Sequence, residues 1–174
     1  MKEGLTTVIT GDGKGKTTSA IGMAIDAVAR GLKVYIAFFL KGELYEHGEF
    51  KSLSRIPGIT FKTYGRKGWV TNKNDNGEYR EKALQGLNDA RKAMLHGGYD
   101  MIVLDEVNGL ISMDIISRDS MVDFIKSKPP ATELILTGRK ADPRVIELAD
   151  SVSEYVMIKH PFNMGQKARK GIDY

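Results

Sequence analysis

Apolar runs alternate along this chain with stretches of helical period, and that alternation predicts an α/β architecture. Most of the runs are rich in β-branched and apolar residues, which favours parallel strands that are covered on both faces. We therefore expect about six strands in a mainly parallel sheet with helices on both faces. The candidate strands are Thr6–Thr10, Val34–Leu40, Ile59–Tyr64, Met101–Asp105, Glu133–Thr137 and Ser153–Ile158.

The segments between these strands have the spacing of amphipathic helices. A first helix is expected from about Lys16 to Arg30 and a longer one from about Glu78 to His96. Shorter helices are expected near Asp119–Lys126 and from the N-cap Asp142 to Ala149. The residues expected to face the core are Ala20, Ile21, Ala24, Ile25 and Val28 in the first helix and Ala83, Leu87, Ala90 and Met94 in the longer one.

Composition narrows the class of protein. The chain has 174 residues, a formal net charge of +4 and no cysteine. Its length suits a single domain over residues 1–174, because neither a repeat nor a low-complexity linker offers a boundary. The lack of cysteine excludes thiol nucleophiles, thiolate zinc sites and cysteine-ligated iron–sulfur clusters. Two segments stand apart, a Gly- and Asn-rich loop at 65–80 that we expect to be mobile and a basic tail at 159–174.

The sequence also limits location and partners. The longest apolar run, residues 34–40, is far shorter than the ~20 residues of a membrane-spanning helix. The first residues show no apolar export signal, so we expect a cytoplasmic protein. A small positive net charge supports a nucleic-acid surface only weakly, and a triphosphate is a polyanion as well. We therefore expect neither a membrane nor nucleic acid as a partner.

The strongest chemical signal is the glycine-rich stretch TGDGKGKTT at 10–18, which follows a strand and opens a helix. A phosphate-binding loop needs that context, because its backbone N–H groups surround an anion while a lysine reaches the outer phosphates. Lys16 has the position of that lysine, and Thr17 that of the hydroxyl which binds Mg²⁺. Thr10 stands where the first glycine is usual, so the motif is a variant. Lys14 is either a solvated charge or a second phosphate contact.

A second signal is the acidic pair Asp105 and Glu106 at the carboxyl end of an apolar strand. Ligands of open α/β sheets gather at this edge, and Mg²⁺ is commonly held by one or two carboxylates together with substrate phosphates. One of the two acids is therefore expected to bind Mg²⁺. Asn108, shortly after them, is either a polar contact or a turn residue.

Arg139 follows the fifth predicted strand and so belongs to the same edge. It either reaches a phosphate or pairs with an acid such as Asp142 or Glu147. The three histidines are too scattered along the chain to form a metal site.

Together these motifs resemble one family, the P-loop corrinoid adenosyltransferases, whose fold is P-loop NTPase-like and RecA-like. The resemblance covers nearly the whole chain. The phosphate loop alone would not separate this family from other P-loop proteins, but the loop together with the C-terminal tail is specific, and Thr10 also resembles the family's form of the loop. The segments are TGDGKGKTTSA at 10–20, FLKGE at 39–43, VLDEVN at 103–108, LTGR at 136–139, LADSVSEY at 148–155 and KHPFNMGQKARKGIDY at 159–174.

The resemblance implies an enzyme that transfers the 5′-deoxyadenosyl group of ATP to cobalt(I) of a corrinoid, either cobalamin or a precursor, and releases triphosphate. Cobalt would attack the ribose C5′ directly. The resemblance also implies a homodimer, a flavoprotein reductase as electron donor, and Mg²⁺ with Mn²⁺ as an alternative. Lys16 and Glu106 would be catalytic, and Thr17 with Glu106 would hold the metal. The implied contacts to ATP and corrinoid are Gly11, Asp12, Gly13, Lys14, Gly15, Lys16, Thr17, Thr18, Arg139 and Trp69.

The chain departs from the family pattern at two points. Members have an aromatic pair, Phe-x-Trp, after the third strand, which is thought to displace the lower axial ligand of cobalt; this chain has Gly68-Trp69-Val70. Several members also have a charged N-terminal helix that covers the site, whereas here the first strand begins almost at once. Either another segment, such as 65–80, closes the site, or the site is more open.

Two other functions stay open at this point. The first is a P-loop NTPase or kinase that transfers a phosphoryl group, for which Glu106 and Arg139 are the available base and arginine finger. The second is a nucleotide-gated module that binds nucleic acid through its basic tail. That module would need aromatic platforms interleaved with basic residues, and Trp69 stands nearly alone.

Overall fold

The structure, a computed structural model, describes residues 3–40, 48–65 and 76–159 together with Gly165. Within these ranges the chain forms six strands and six helices. In chain order they are β1 (Thr6–Thr10), α1 (Lys16–Ala29), β2 (Val34–Phe38), α2 (Gly48–Leu53), β3 (Ile59–Thr63), α3 (Asn76–His96), β4 (Met101–Asp105), α4 (Val107–Ser112), α5 (Arg118–Lys126), β5 (Glu133–Thr137), α6 (Pro143–Glu147) and β6 (Ser151–Glu154).

The described strands form one sheet in the order β3-β2-β4-β5-β1-β6, and every neighbouring pair is parallel. The predicted fold class is confirmed. β1 lies between β5 and β6, and β5 separates β1 from β4. Since Ile9 pairs with Thr137 and Leu104 with Leu136, the carboxyl ends of β1, β4 and β5 meet at one edge of the sheet.

Helices cover both faces of the sheet because successive strand residues point in opposite directions. Val34, Ile36 and Phe38 of β2 pack in the layer of α1 and α2, whereas Tyr35 and Ala37 pack in the layer of α3 to α6. The central strands β2 and β4 are buried at every position. The edge strands differ: β3 alternates between half-buried and exposed residues, and β6 is exposed throughout.

Strand bounds agree with the sequence prediction for three strands, β2 and β3 end two residues and one residue earlier than predicted, and the prediction fails at the β6 edge. β1, β4 and β5 have the predicted bounds. The predicted last strand, Ser153–Ile158, is wrong, because β6 is Ser151–Glu154. Val156 and Ile158, whose apolar side chains suggested a strand, are 69% and 95% exposed. β6 pairs with β1 through its backbone, and this contact does not require apolar side chains on both faces.

The helices show a similar pattern. The predicted core residues of α3 are all buried. In α1 the buried apolar residues are Ala20, Ala24 and Ala27, and Ile21 and Val28 pack partly buried beside them. Ile25 is 43% exposed, so its predicted core position is wrong. Small alanine side chains thus form the most buried part of the face of α1 that meets the sheet. α2 and α4 have six residues each and were not predicted, since helical period is weak over so short a run. None of the helices in the described ranges has the length and apolar character to cross a membrane.

Candidate nucleotide site

The phosphate loop lies between β1 and α1 at the carboxyl edge of the sheet. Gly11 and Gly15 have φ angles of 95° and 111°, which glycine adopts without strain and other residues rarely do. Gly15 is the N-cap of α1, so the loop ends directly at the positive end of a 14-residue helix. The backbone therefore has the strand, turn and helix order that the motif predicts.

Lys16 begins α1 and is the buried cation of the site, with 7% of its surface exposed. Its Nζ donates to the Gly13 carbonyl oxygen at 2.8 Å, so the side chain folds back over the loop. Burial lowers the pKa of Lys16, against the opposing effect of the Glu106 carboxylate. Lysine and glutamate, which are distant in sequence, thus act on each other across this edge. Of the loop's other predicted contacts, Lys14 and Thr18 are exposed and Thr17 is half-buried.

Thr10 explains the departure from the usual first glycine of the motif. Its hydroxyl accepts a hydrogen bond from the N–H of Ala141 at 3.2 Å, and the N–H of Gly138 donates to the Ile9 carbonyl at 3.2 Å. These bonds join the start of the phosphate loop to the loop after β5. A glycine at position 10 would lose the first of them.

The acidic pair has two different environments. Asp105 is fully buried, and its Oδ1 accepts a hydrogen bond from the Thr137 hydroxyl at 2.7 Å. The same hydroxyl accepts from the N–H of Glu106 at 3.0 Å. Glu106 is half-buried and is the N-cap of α4, with a left-handed backbone at φ 65°. One threonine on β5 therefore fixes both acids at the end of β4, and it leaves Glu106 as the more accessible of the two.

Arg139 pairs with an acid, as one of the two predictions proposed, but the acid is Asp12 of the phosphate loop rather than Asp142 or Glu147. Its Nη1 lies 3.3 Å from Oδ1 of Asp12, and both side chains are more than half exposed. The alternative pairing with Asp142 is wrong, because Asp142 accepts instead from Arg118 Nε at 2.6 Å and caps α6. The guanidinium thus stands where a phosphate could replace its carboxylate partner.

Of two further residues at this edge, Tyr79 was not singled out from the sequence, and Asn108 was left as either a polar contact or a turn residue. Tyr79, near the start of α3, is buried; burial raises the pKa of Tyr79 to about 12, and the negative charge of Glu106 adds to that shift. Its position four residues before Ala83 continues the α3 stripe, a signal that could have found it. Asn108 lies in α4 rather than in a turn and is fully buried. Neither of its amide atoms has a hydrogen-bond partner among the described residues.

Some predicted positions fall outside the described residues. They are Trp69, most of the loop at 65–80, and the tail at 159–174 apart from its first residue and Gly165.

Solved structures with a similar fold include the flagellar accessory protein FlaH from Methanocaldococcus jannaschii. It has a TM-score of 0.59 and 12% identity, with 88% of this chain and 72% of that chain covered. A KaiC-like protein from Pyrococcus horikoshii has a TM-score of 0.56 and 15% identity, with 92% and 76% covered. At these identities the likeness shows the fold alone, a parallel sheet with helices on both faces.

Proteins of similar sequence identify the family. Corrinoid adenosyltransferases of Escherichia coli K12 and Salmonella typhimurium are 33% and 35% identical to this chain, over 99% of it and 87% of their own length. The corrinoid adenosyltransferase of Pseudomonas aeruginosa is 32% identical over 99% of this chain and 85% of its own. The family model described as ATP:corrinoid adenosyltransferase BtuR/CobO/CobP matches residues 2–174. The chain therefore belongs to the ATP:corrinoid adenosyltransferase family.

Proposed function

We propose that this enzyme transfers the 5′-deoxyadenosyl group of ATP to cobalt(I) of a corrinoid and releases triphosphate. The observation that carries the proposal is the meeting of Lys16, Arg139 and Glu106 at one sheet edge, in a chain that matches the family over residues 2–174. We also infer, from the resemblance, one functional domain over 1–174 that works as a cytoplasmic homodimer and receives electrons from a flavoprotein reductase.

The phosphate loop supplies the charge that the triphosphate requires. The N-terminus of α1 presents backbone N–H groups, and in this proposal the Lys16 ammonium exchanges the Gly13 carbonyl for an outer phosphate. Arg139 can exchange Asp12 for a phosphate oxygen, since both partners are exposed to solvent. In this proposal the two cations stabilise the negative charge that grows on the departing triphosphate, which is where catalysis of this reaction has most to gain.

The residues at the edge fit Mg²⁺. The donors are oxygen atoms, from the half-buried Glu106 carboxylate, the Thr17 hydroxyl and the phosphates of the substrate. No cluster of three or more His, Cys, Asp or Glu side chains in the described part of the chain could hold a metal alone. This agrees with an ion that is held jointly by protein and triphosphate. When bound, Mg²⁺ would neutralise part of the triphosphate charge.

The chemical step requires positioning more than a protein nucleophile. An electron pair of cobalt(I) forms the bond to C5′, the C5′–O bond breaks, and that bond's electron pair leaves with the triphosphate. Cobalt is thereby oxidised from cobalt(I) to cobalt(III). The contribution of the chain is to hold the triphosphate so that C5′ faces the corrinoid in line with the leaving oxygen.

Product analysis tests the proposal. The full chain is incubated with ATP, Mg²⁺ and chemically reduced cobalamin; the absorbance change of the corrinoid and the phosphorus-containing product are followed together. Adenosylcobalamin and triphosphate in equal amounts support the proposal. Release of phosphate or diphosphate without an alkylated corrinoid would indicate phosphoryl transfer instead.

The role of Trp69 in corrinoid binding is inferred from the resemblance. If Trp69 helps to remove the lower ligand of cobalt(II), Trp69→Ala should fail with enzymatic reduction yet keep much of its activity with chemically generated cobalt(I). Equal losses in both assays, together with a lowered melting temperature, would assign Trp69 to the core.

A further inference from the structure

The three glycines of the phosphate loop approach one residue outside the loop, Tyr155, just after β6. A Cβ added at Gly11 would lie 2.8 Å from the Tyr155 nitrogen, and one at Gly13 would lie 2.8 Å from its carbonyl oxygen. A Cβ at Gly15 would lie 2.9 Å from Cε1 of the tyrosine ring. Real Cβ atoms essentially never approach other atoms this closely. Gly11 and Gly13 are therefore required by the close approach of the Tyr155 backbone, and Gly15 faces the Tyr155 ring. Gly11 and Gly15 are also required by their positive φ angles.

Hydrogen bonds fix the same contact. The N–H of Tyr155 donates to the Thr10 carbonyl at 2.8 Å, and the N–H of Gly13 donates to the Tyr155 carbonyl at 2.6 Å. The Tyr155 hydroxyl shares a hydrogen bond with Ser19 Oγ on α1, 136 residues away in sequence. Tyr155 thus touches the end of β1, the loop and the first turn of α1.

We propose that Tyr155 is a positioning residue for ATP, the surface against which the phosphate loop takes its ligand-binding shape. Glycine-rich segments have the largest conformational freedom to lose on ordering. A loop that is already ordered against a fixed ring and backbone binds its ligand with less entropic cost. The residues that depend on this shape are Lys16, directly after Gly15, and the N–H groups at the start of α1. The inference rests on the proposed function in taking ATP as the ligand.

The test uses the full chain and two matched tyrosines. Tyr155→Ala removes the ring, whereas Tyr155→Phe and Ser19→Ala remove only the shared hydrogen bond. Tyr99→Ala is the control, because Tyr99 is also half-buried but precedes β4 at the opposite edge of the sheet, with its ring 5.5 Å from that of Tyr35. For each variant, MgATP affinity is measured by calorimetry, KM and kcat are measured with chemically generated cobalt(I), and stability is measured by a thermal melt.

Loss of the ring contact with Gly15 should weaken MgATP binding about tenfold or more in Tyr155→Ala and raise KM for ATP more than it lowers kcat, although the backbone contacts of residue 155 remain. Tyr155→Phe and Ser19→Ala should stay within about threefold of wild type, because ring and backbone remain. Tyr99→Ala should lower the melting temperature and keep wild-type affinity. If Tyr155→Ala does not fold, Tyr155→Leu replaces it in the same measurements, with the same expected loss of MgATP affinity.

Wild-type affinity in Tyr155→Ala, or equal losses of affinity in Tyr155→Ala and Tyr99→Ala, would overturn the inference. The calorimetric result is independent of the proposed transfer reaction. A wild-type protein that binds MgATP but never alkylates a corrinoid would defeat the proposed function and leave the test of Tyr155 intact.

Discussion

The phosphate loop and the acidic turn lie at the same edge of one sheet, yet they are built in opposite ways. The loop takes its left-handed backbone at Gly11 and Gly15, where glycine adopts positive φ without strain. The acidic turn takes its left-handed backbone at Glu106, where a side chain makes the same conformation cost about 1–2 kcal/mol. The turn also buries Asp105 and Asn108 completely.

This difference separates two kinds of site construction. The loop is shaped at low local cost by small residues that dock on Tyr155, so changes in its charges should alter ligand binding and leave the fold stable. The turn retains strain and buried polar groups whose cost is offset by the surrounding core. Substitutions there should therefore change stability as well as activity.

The largest effect is expected at Lys16. Lys16→Ala should weaken ATP binding and lower turnover by about 100-fold or more, because a charge-assisted contact to a phosphate is worth up to about 3 kcal/mol. The melting temperature should stay close to wild type. Calorimetry and the transfer assay check this, with Lys92→Ala, an exposed lysine on α3, as the control. Near-native ATP affinity in Lys16→Ala would remove the phosphate-loop assignment.

The next effect should distinguish the two acids. Glu106→Gln should lower kcat at least about tenfold and raise the Mg²⁺ requirement, as the loss of a metal-binding carboxylate would do. Asp105→Asn should affect the metal less and stability more, since the Thr137 hydroxyl loses its charged acceptor. A Mg²⁺ titration of the rate, paired with thermal melts, compares them. A larger metal effect for Asp105→Asn would exchange the two roles.

Stability should rise when the buried amide at position 108 is removed. Asn108→Leu keeps the branching of the side chain and removes polar atoms without partners among the described residues, so the free energy of unfolding should increase by about 1 kcal/mol or more. Asn88→Leu, the same change at an exposed position on α3, should have little effect. Denaturant unfolding of both variants gives the comparison. A clearly destabilised Asn108→Leu would show that the amide has a partner.

The smallest effect is expected at Asp12. Its ion pair with Arg139 is exposed, so Asp12→Asn should hardly change the melting temperature. The loss of a negative charge beside the phosphates, and the release of Arg139, should tighten ATP binding about two- to fivefold. Weaker binding in Asp12→Asn would instead give the carboxylate a positive role in the site.

The strands and site residues that were predicted correctly from the sequence are those that depend on a local pattern of apolar and polar residues. β1, β4 and β5 were predicted correctly because each is an apolar run that is followed by residues with chemical roles. Lys16 and Glu106 were singled out because they lie just after the ends of β1 and β4. β6 was misplaced because an edge strand that pairs through its backbone has little hydrophobic pattern. α4 was missed because helical period is weak over six residues, and its N-cap Glu106 is held by a hydrogen bond to Thr137, 31 residues away. The contact of Tyr155 with the loop spans a still greater separation, and no local pattern records it.

The position of β5 between β1 and β4 sets the distance between the phosphate loop and the acidic turn. Adjacent strands lie roughly 4.8 Å apart, so the phosphate loop and the acidic turn start from strand axes roughly 10 Å apart. A lone phosphate held in the loop leaves most of that gap to water. A chain of three phosphates with its cation is long enough to extend from the end of β1 to the end of β4, which agrees with a triphosphate as the ligand of the proposed function.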